Sequence, residues 1–169
     1  MSGTREVARV HVSTVLGEFT VEASARGLRA VSPQKGGRDA APNAEPRALA
    51  HARAAAEALR LYAAGGRARF AGRFDFDAPA LHLAVWERLR EIPFGSTTTY
   101  GAIAAAVGLP GEARAIGAAI GANPACVLIP CHRVVGADGS LRGFAWGLDL
   151  KRRLLTHEGN AALPLFAGS

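Results

Sequence analysis

Ser96-Thr97-Thr98-Thr99-Tyr100-Gly101-Ala102-Ile103-Ala104-Ala105-Ala106-Val107-Gly108-Leu109-Pro110-Gly111 divides into a run of N-cap candidates, a short helix and a tight turn. Ser and Thr side chains accept hydrogen bonds from the orphan N–H groups of a first helical turn, which predicts a helix over Tyr100 to Val107. After Gly108 to Gly111 a further helix is expected over Glu112 to Ala122, stopped by Asn123-Pro124. Helix, four-residue turn and helix is the layout of a helix-turn-helix unit. The later helix carries mostly tiny side chains: Ala113, Ala115, Gly117, Ala118, Ala119, Gly121 and Ala122. Ile116 and Ile120 mark its inner face, and Arg114 lies roughly 200° from Ile116 around the axis, pointing outward. Small side chains permit a close approach, either by another helix of the protein or by a ligand surface. An outward Arg in a basic chain favours the second, with a nucleic-acid backbone as the ligand.

Upstream of the turn, Leu81, Val85, Leu89 and Ile92 fall on one helical face, and Pro93-Phe94-Gly95 ends that helix. The first half reads differently. Val7 to Val15 alternates (Val7, Arg9, His11), and Glu18 to Ala25 carries a similar period around Phe19 and Val21. With Leu16-Gly17-Glu18 between them these predict a hairpin, with Gly27 to Val31 as a third strand. Ser32 to Pro46, rich in Gly, Pro, Ala and charge, reads as a long mobile loop. Pro46 to Ala64 is an Ala-rich helix entered at a Pro and stopped by Gly65-Gly66, and Phe70 to Phe76 is a further short strand. The change of character near Ala78 divides the chain into domains 1–77, a scaffold, and 78–169, which holds the candidate chemistry.

The 169 residues are 49% hydrophobic without any stretch that reaches membrane-spanning length, so a globular protein that does not enter a membrane is expected. The start lacks the apolar segment of a secretory signal, and two cysteines, Cys126 and Cys131, make no disulfide framework; both favour the cytoplasm. No Cys-x-x-Cys occurs and the His residues are scattered, so no metal site and no cofactor are expected. A net charge of +6 suggests an acidic partner, with nucleic acid the first candidate, although a solvated basic surface gives the same number.

Pro130-Cys131-His132-Arg133-Val134-Val135 places a thiol beside an imidazole, after the apolar run Val127-Leu128-Ile129. A thiolate is a good nucleophile where a neutral thiol is not, so a Cys with a nearby base is a reaction hypothesis. Neighbours in sequence seldom face each other, so His132 would take the Cys131 proton through a bridging water. Glu158 lies close to the apolar stripe of Leu154 and Leu155 and so calls for a partner, either His132 or Lys151. Cys126, inside the apolar run, is expected to be buried.

These stretches, taken with Asn123-Pro124, Gly143 and Leu154-Leu155-Thr156-His157-Glu158-Gly159, resemble the O6-alkylguanine-DNA alkyltransferase family. The resemblance is weak through Phe76 and strong from Val85 onward. It implies an N-terminal ribonuclease-H-like α/β domain and a mainly helical C-terminal domain with the helix-turn-helix and a wing-like loop. It also implies irreversible, single-turnover transfer of an alkyl group from O6 of guanine in double-stranded DNA to Cys131, with O4 of thymine as a further substrate. The chain would work as a monomer, largely indifferent to sequence. Carried over residue by residue, Cys131 is the nucleophile, His132 and Glu158 its base and orienter, and Asn123 organises the preceding turn. Tyr100 presses on the phosphate beside the lesion, while Arg114 fills the gap left by the everted base, since a stacked base cannot present its O6 substituent to a thiol. Backbone carbonyls at Cys131 and Val134 read the guanine amino group, and the backbone N–H of Ala145 contacts the base.

The chain departs from relatives at Phe144-Ala145-Trp146-Gly147, where many have Tyr-Ser-Gly-Gly, and at Leu81-His82, where Phe-Gln is common. Trp146 would narrow the mouth of the site. The assignment requires a sulfur held ionised in a dry cavity that an everted base can enter. A lesion-binding sensor without chemistry would lack the cysteine, and a Cys-His-Glu hydrolase would leave the helix-turn-helix unexplained.

Overall fold

The computed structural model describes residues 7–39 and 44–160. The chain separates into two compact units, one formed by residues up to Asp77 together with Pro124–Leu128, the other by Ala78–Asn123 and the chain from Ile129 onward.

In the first unit, β1 (Ala8–Thr14), β2 (Gly17–Ser24) and β3 (Gly27–Pro33) form an antiparallel sheet in sequence order. Alternation sets its faces: Ala8, Val10 and Val12 are buried while Arg9 and Ser13 face solvent. Helix α1 (Pro46–Ala63) starts with Pro at a position whose N–H would have no helical partner. Ala48, Ala52, Ala55, Ala56 and Leu59 recur at helical spacing and are buried, and α1 packs on β1 and β2.

Two expectations are corrected here. Phe70 to Phe76 is not a strand: it makes one bridge, with Leu28 N–H donating to the Arg73 carbonyl and Asp75 N–H to the Leu28 carbonyl, both at 2.8 Å. Its rings pack on one another instead, Phe70 edge-on to Phe74 at 5.5 Å and Phe74 tilted on Phe76 at 4.9 Å. Gly27 lies beneath, at φ +154°, and a Cβ there would stand 2.6 Å from the Arg73 carbonyl oxygen. The loop expected over Ser32 to Pro46 is also more ordered than its composition suggests. β3 runs on through Pro33, and residues 34–39 are tied back to the hairpin. Gln34 N–H donates to the Glu18 carbonyl (2.9 Å), and His11 N–H to Asp39 Oδ1 (2.7 Å). Residues 40–43 of that stretch lie outside the described residues.

The segment Pro124–Leu128 joins this unit through β3: Val31 N–H donates to the Pro124 carbonyl (2.9 Å) and Cys126 N–H to the Val31 carbonyl (3.1 Å). Ala125 and Cys126 are fully buried, as expected for Cys126. Val127 holds φ +71°, a conformation that a β-branched residue adopts only under strain.

In the second unit, α2 (Ala80–Arg90), α3 (Tyr100–Ala106) and α4 (Ala113–Gly121) pack on one another. Val85, Trp86 and Leu89 supply the inner face of α2, and Trp86 Nε1 donates to the Ala119 carbonyl at 2.8 Å, locking α2 to α4. Thr99 is the cap of α3, its hydroxyl accepting from Ala102 N–H at 3.1 Å. The same residues also do something the sequence does not announce: Thr98–Thr99 (β4) pairs in parallel with Val134–Val135 (β5). Helix α5 (Leu148–His157) closes the unit against the 3₁₀ turn Cys131–Arg133.

Candidate active site

Every residue of the candidate site lies in the second unit. Cys131 opens the 3₁₀ turn and is 3% exposed, with His132 and Arg133 buried beside it. Asn123, at the exit of α4, is buried and donates from Nδ2 to the Ile129 carbonyl (2.9 Å), so it braces the chain two residues ahead of the thiol. Burial pushes the Cys131 thiol up to about 11, against the opposing pull of the Asn123 side chain, the Lys151 charge and backbone N–H groups. The resting sulfur therefore carries its proton. This corrects the expectation of a sulfur held ionised in a dry cavity: desolvation outweighs the groups that favour the anion.

His132 Nε2 hydrogen-bonds to Glu158 Oε2 in the interior. Glu158 is the residue on which α5 ends, where the helix dipole disfavours a negative charge, and burial also works to raise its pKa. His132 and Arg133 overcome both and hold the carboxyl down at about 2. Arg133 Nε donates to Glu158 Oε1 (2.6 Å), Arg133 Nη1 to the Ile92 carbonyl (2.6 Å), and Gly95 N–H to Glu158 Oε1 (3.1 Å). Gly95 holds φ +83°, the turn conformation that brings this N–H to the carboxylate. Burial keeps the imidazole of His132 below its ordinary pKa, so it stands neutral at pH 7, with Nε2–H donating to the carboxylate and Nδ1 left as the basic nitrogen. A neutral imidazole fixed in one tautomer by a carboxylate is a proton acceptor.

Lys151 was one of two candidate partners for Glu158, and the structure decides against it. Its Nζ instead donates to the carbonyls of Val134 (2.7 Å), Arg142 (2.9 Å) and Gly143 (3.3 Å). Val134, expected to present its carbonyl to a ligand, thus already accepts one hydrogen bond there; an oxygen with two lone pairs keeps room for a second. The Cys131 carbonyl likewise accepts from Val134 N–H.

Tyr100, first residue of α3, is half-buried and donates from Oη to the Arg142 carbonyl at 2.8 Å. Burial and the nearness of Cys131 raise its phenol pKa. Arg114 stands exposed on α4 opposite buried Ile116, as its helical angle predicts. The tiny residues of α4 leave room on that side: a Cβ on Gly117 would meet only Tyr100 Cδ1 at 3.9 Å, and one on Gly121 nothing within 4 Å. Ala145 is exposed, and Trp146 is half-buried with its ring edge-to-face on Phe144 at 5.4 Å. His82 stacks at a tilt on Trp86, 5.8 Å away.

Sequence reasoning passed over Arg133, the Gly95 N–H and the carbonyl cradle of Lys151. Arg133 carried a signal: a cation inside Val-Leu-Ile-Pro-Cys-His-Arg-Val-Val is set for burial and needs a counter-charge. The other two depend on tertiary folding and leave no mark in the chain. Among the described residues no group of three or more His, Cys, Asp and Glu could hold a metal ion, and no helix is long and apolar enough to cross a membrane.

A buried cysteine whose preceding turn is braced by an amide, an imidazole–carboxylate pair and helices separated by a tight turn together define the candidate site. Residues 80–160 match the family described as 6-O-methylguanine DNA methyltransferase, DNA binding domain. The methylated-DNA–protein-cysteine methyltransferase of Mycolicibacterium paratuberculosis is 44% identical over 124 residues, covering 72% of this chain and 73% of that protein. The Mycobacterium tuberculosis O6-methylguanine methyltransferase crystal structure superposes with a TM-score of 0.76 at 33% identity, covering 93% of this chain and 95% of that one. An M. tuberculosis OGT in complex with DNA gives 0.75 at the same identity, with 92% and 95% covered. The chain belongs to the methylated-DNA–protein-cysteine methyltransferase family, with a mixed α/β fold shared with those structures.

Proposed function

We propose that this protein repairs DNA by direct reversal, moving a methyl or other alkyl group from O6 of guanine onto Cys131. The observation that carries the reading is the buried sequence Cys131, His132, Glu158 in a member of this family. The reaction is a displacement at sp³ carbon. The Cys131 thiol gives its proton to His132 Nδ1 through a bridging water, the sulfur attacks the alkyl carbon, the C–O bond breaks, and the guanine leaves and is reprotonated. A thioether has no leaving group comparable to guanine, so each chain reacts once. O4 of thymine offers the same carbon–oxygen bond and is the second substrate.

Further assignments follow from this reading. Residues 1–77 are a ribonuclease-H-like scaffold, to whose compact unit Pro124–Leu128 also belongs, and the rest of 78–169 is the DNA-binding and transfer domain, with α3 and α4 as its helix-turn-helix. Arg114, exposed beside tiny side chains, occupies the stack when the damaged nucleotide turns out, and Tyr100 lies against the adjacent phosphate. Asn123 holds the turn before the nucleophile, the carbonyls of Cys131 and Val134 face the guanine amino group, and Ala145 and Trp146 form the rim. The protein acts as a monomer on double-stranded DNA, mostly through phosphates and the everted base, with little dependence on flanking sequence.

The test is a titration with excess O6-methylguanine duplex. Transfer should plateau at about one methyl per chain, as a covalent thioether without turnover demands, with the mass gained on the Cys131 peptide. Continued product formation would mean a hydrolase, and binding without transfer a lesion sensor; either ends this reading.

A further inference from the structure

Lys151 is fully buried on α5, and none of its partners among the described residues is a carboxylate. A buried ammonium is costly unless its donors are met. Here they are met by the carbonyls of Val134, Arg142 and Gly143, and the ring of Phe144 lies 6.0 Å from Nζ. Those acceptors are not neighbours in the chain. Val134 belongs to β5, directly after the nucleophile's turn, while Arg142 and Gly143 begin the stretch that leads to Ala145 and Trp146. Tyr100 donates to the same Arg142 carbonyl from α3. One ammonium therefore staples the far arm of the 136–147 loop to the strand that follows Cys131. It also acts on Cys131 through its charge, which favours the anionic sulfur.

We propose that Lys151 is a positioning residue that links closure of the 136–147 loop to ionisation of Cys131, its charge standing where the thiolate appears during transfer. The staple and the counter-charge are the same group. A loop lifted away from Val134 draws acceptors off the ammonium and frees the charge that favours the anionic sulfur to move away. Such a device withholds the counter-charge that eases ionisation of the thiol whenever the loop is lifted. The proton goes to His132, and Lys151 neither accepts nor supplies one. Other charged or titratable groups face this centre: Tyr100 from α3, His132 and Arg133 from the 3₁₀ turn, Glu158 from the end of α5 and Arg142 from the loop.

The inference rests on the alkyl-transfer reading above, and the experiment separates the two. Single-turnover transfer from O6-methylguanine duplex is followed for wild type, Lys151→Met and Lys151→Arg between pH 6 and 9, with hydrogen exchange of the loop amides measured on each. Lys151→Met should lower the transfer rate at saturating DNA by roughly 100- to 1000-fold, the scale for losing one aligned electrostatic group. It should move the rising limb of the pH–rate profile to higher pH and speed exchange across 141–145. Affinity for undamaged duplex should stay unchanged. Burial lowers the Lys151 pKa to about 8, so Lys151→Arg should match the wild-type profile below that pH and part from it above, where the wild-type ammonium loses its proton and the guanidinium keeps its charge. Wild type that accepts no methyl removes the transfer reading itself. Active wild type together with a Lys151→Met protein whose pH limb and loop exchange are unmoved overturns the proposal, whatever its melting temperature.

Discussion

Arg133 donates through Nε to Glu158 Oε1 at 2.6 Å while His132 holds the other oxygen of the same carboxylate. The carboxylate is therefore shared, one oxygen to the candidate base and one to a structural cation that also grips the Ile92 carbonyl. Arg133→Met should leave Glu158 buried at a helix C-terminus with half its compensation gone. Breaking such a pair costs about 3–5 kcal/mol. A denaturant midpoint lowered by that amount, with residual transfer in the folded fraction, is the expected outcome. A loss below about 1 kcal/mol would show that the guanidinium contributes little.

Acid should unfold the protein in two stages. Burial holds the folded imidazole of His132 below its ordinary value of 6.5, so the unfolded chain binds a proton there that the folded chain refuses. Stability is highest above that value and declines as the pH falls below it. Glu158, held at about 2 against an ordinary 4.5, contributes stability above 4.5 that is lost progressively as the pH falls through about 2. Urea midpoints measured from pH 8 to pH 3 should fall across both windows, and Glu158→Gln should remove the lower one.

Without DNA, Cys131 should be a slow thiol. With the group pushed up to about 11, its thiolate fraction rises about tenfold per pH unit between 7 and 9, and labelling by iodoacetamide should follow it. Peptide mapping distinguishes Cys131 from buried Cys126. A labelling rate already level at pH 7 would contradict the neutral resting state.

Arg114 is exposed, so Arg114→Ala should change stability by no more than about 0.5 kcal/mol. Its effect should appear on duplex DNA, where transfer slows, and far less on free O6-methylguanine base. Equal slowing on both substrates would place the role of Arg114 outside base eversion.

Trp146→Gly removes a ring that packs on Phe144 at the rim. The rate with a benzylated guanine should rise relative to the methylated one, as read by competition between the two oligonucleotides. An unchanged ratio would mean that the indole does not select substrate size.

The helices and the hairpin were legible because their signals are local. Pro46 enters α1, Thr99 caps α3, and Leu81, Val85 and Leu89 share one face. Phe70 to Phe76 misled because aromatic residues suit a strand and a ring cluster equally well, and here the rings pack on one another while the backbone makes one bridge, to Leu28. The candidate site was legible in its motif residues, since Cys131, His132 and Glu158 are ionisable groups beside apolar stretches and carry the family resemblance. Its supports were not: the β4–β5 ladder is two residues long on each side, and the bonds of Lys151 run to backbone oxygens that any sequence would supply. The protonation state of Cys131 was equally hidden, because it follows from how completely the folded chain encloses the sulfur.

The excursion of Pro124–Leu128 bears on how the protein can be divided. A gene product starting at Ala78 would retain these residues but lose Val31, which answers the Pro124 carbonyl and the Cys126 N–H. Ala125 and Cys126 would come into water next to an open β edge, the kind that recruits foreign strands. Such a truncated half should self-associate, and its solubility would return on adding the N-terminal half in trans.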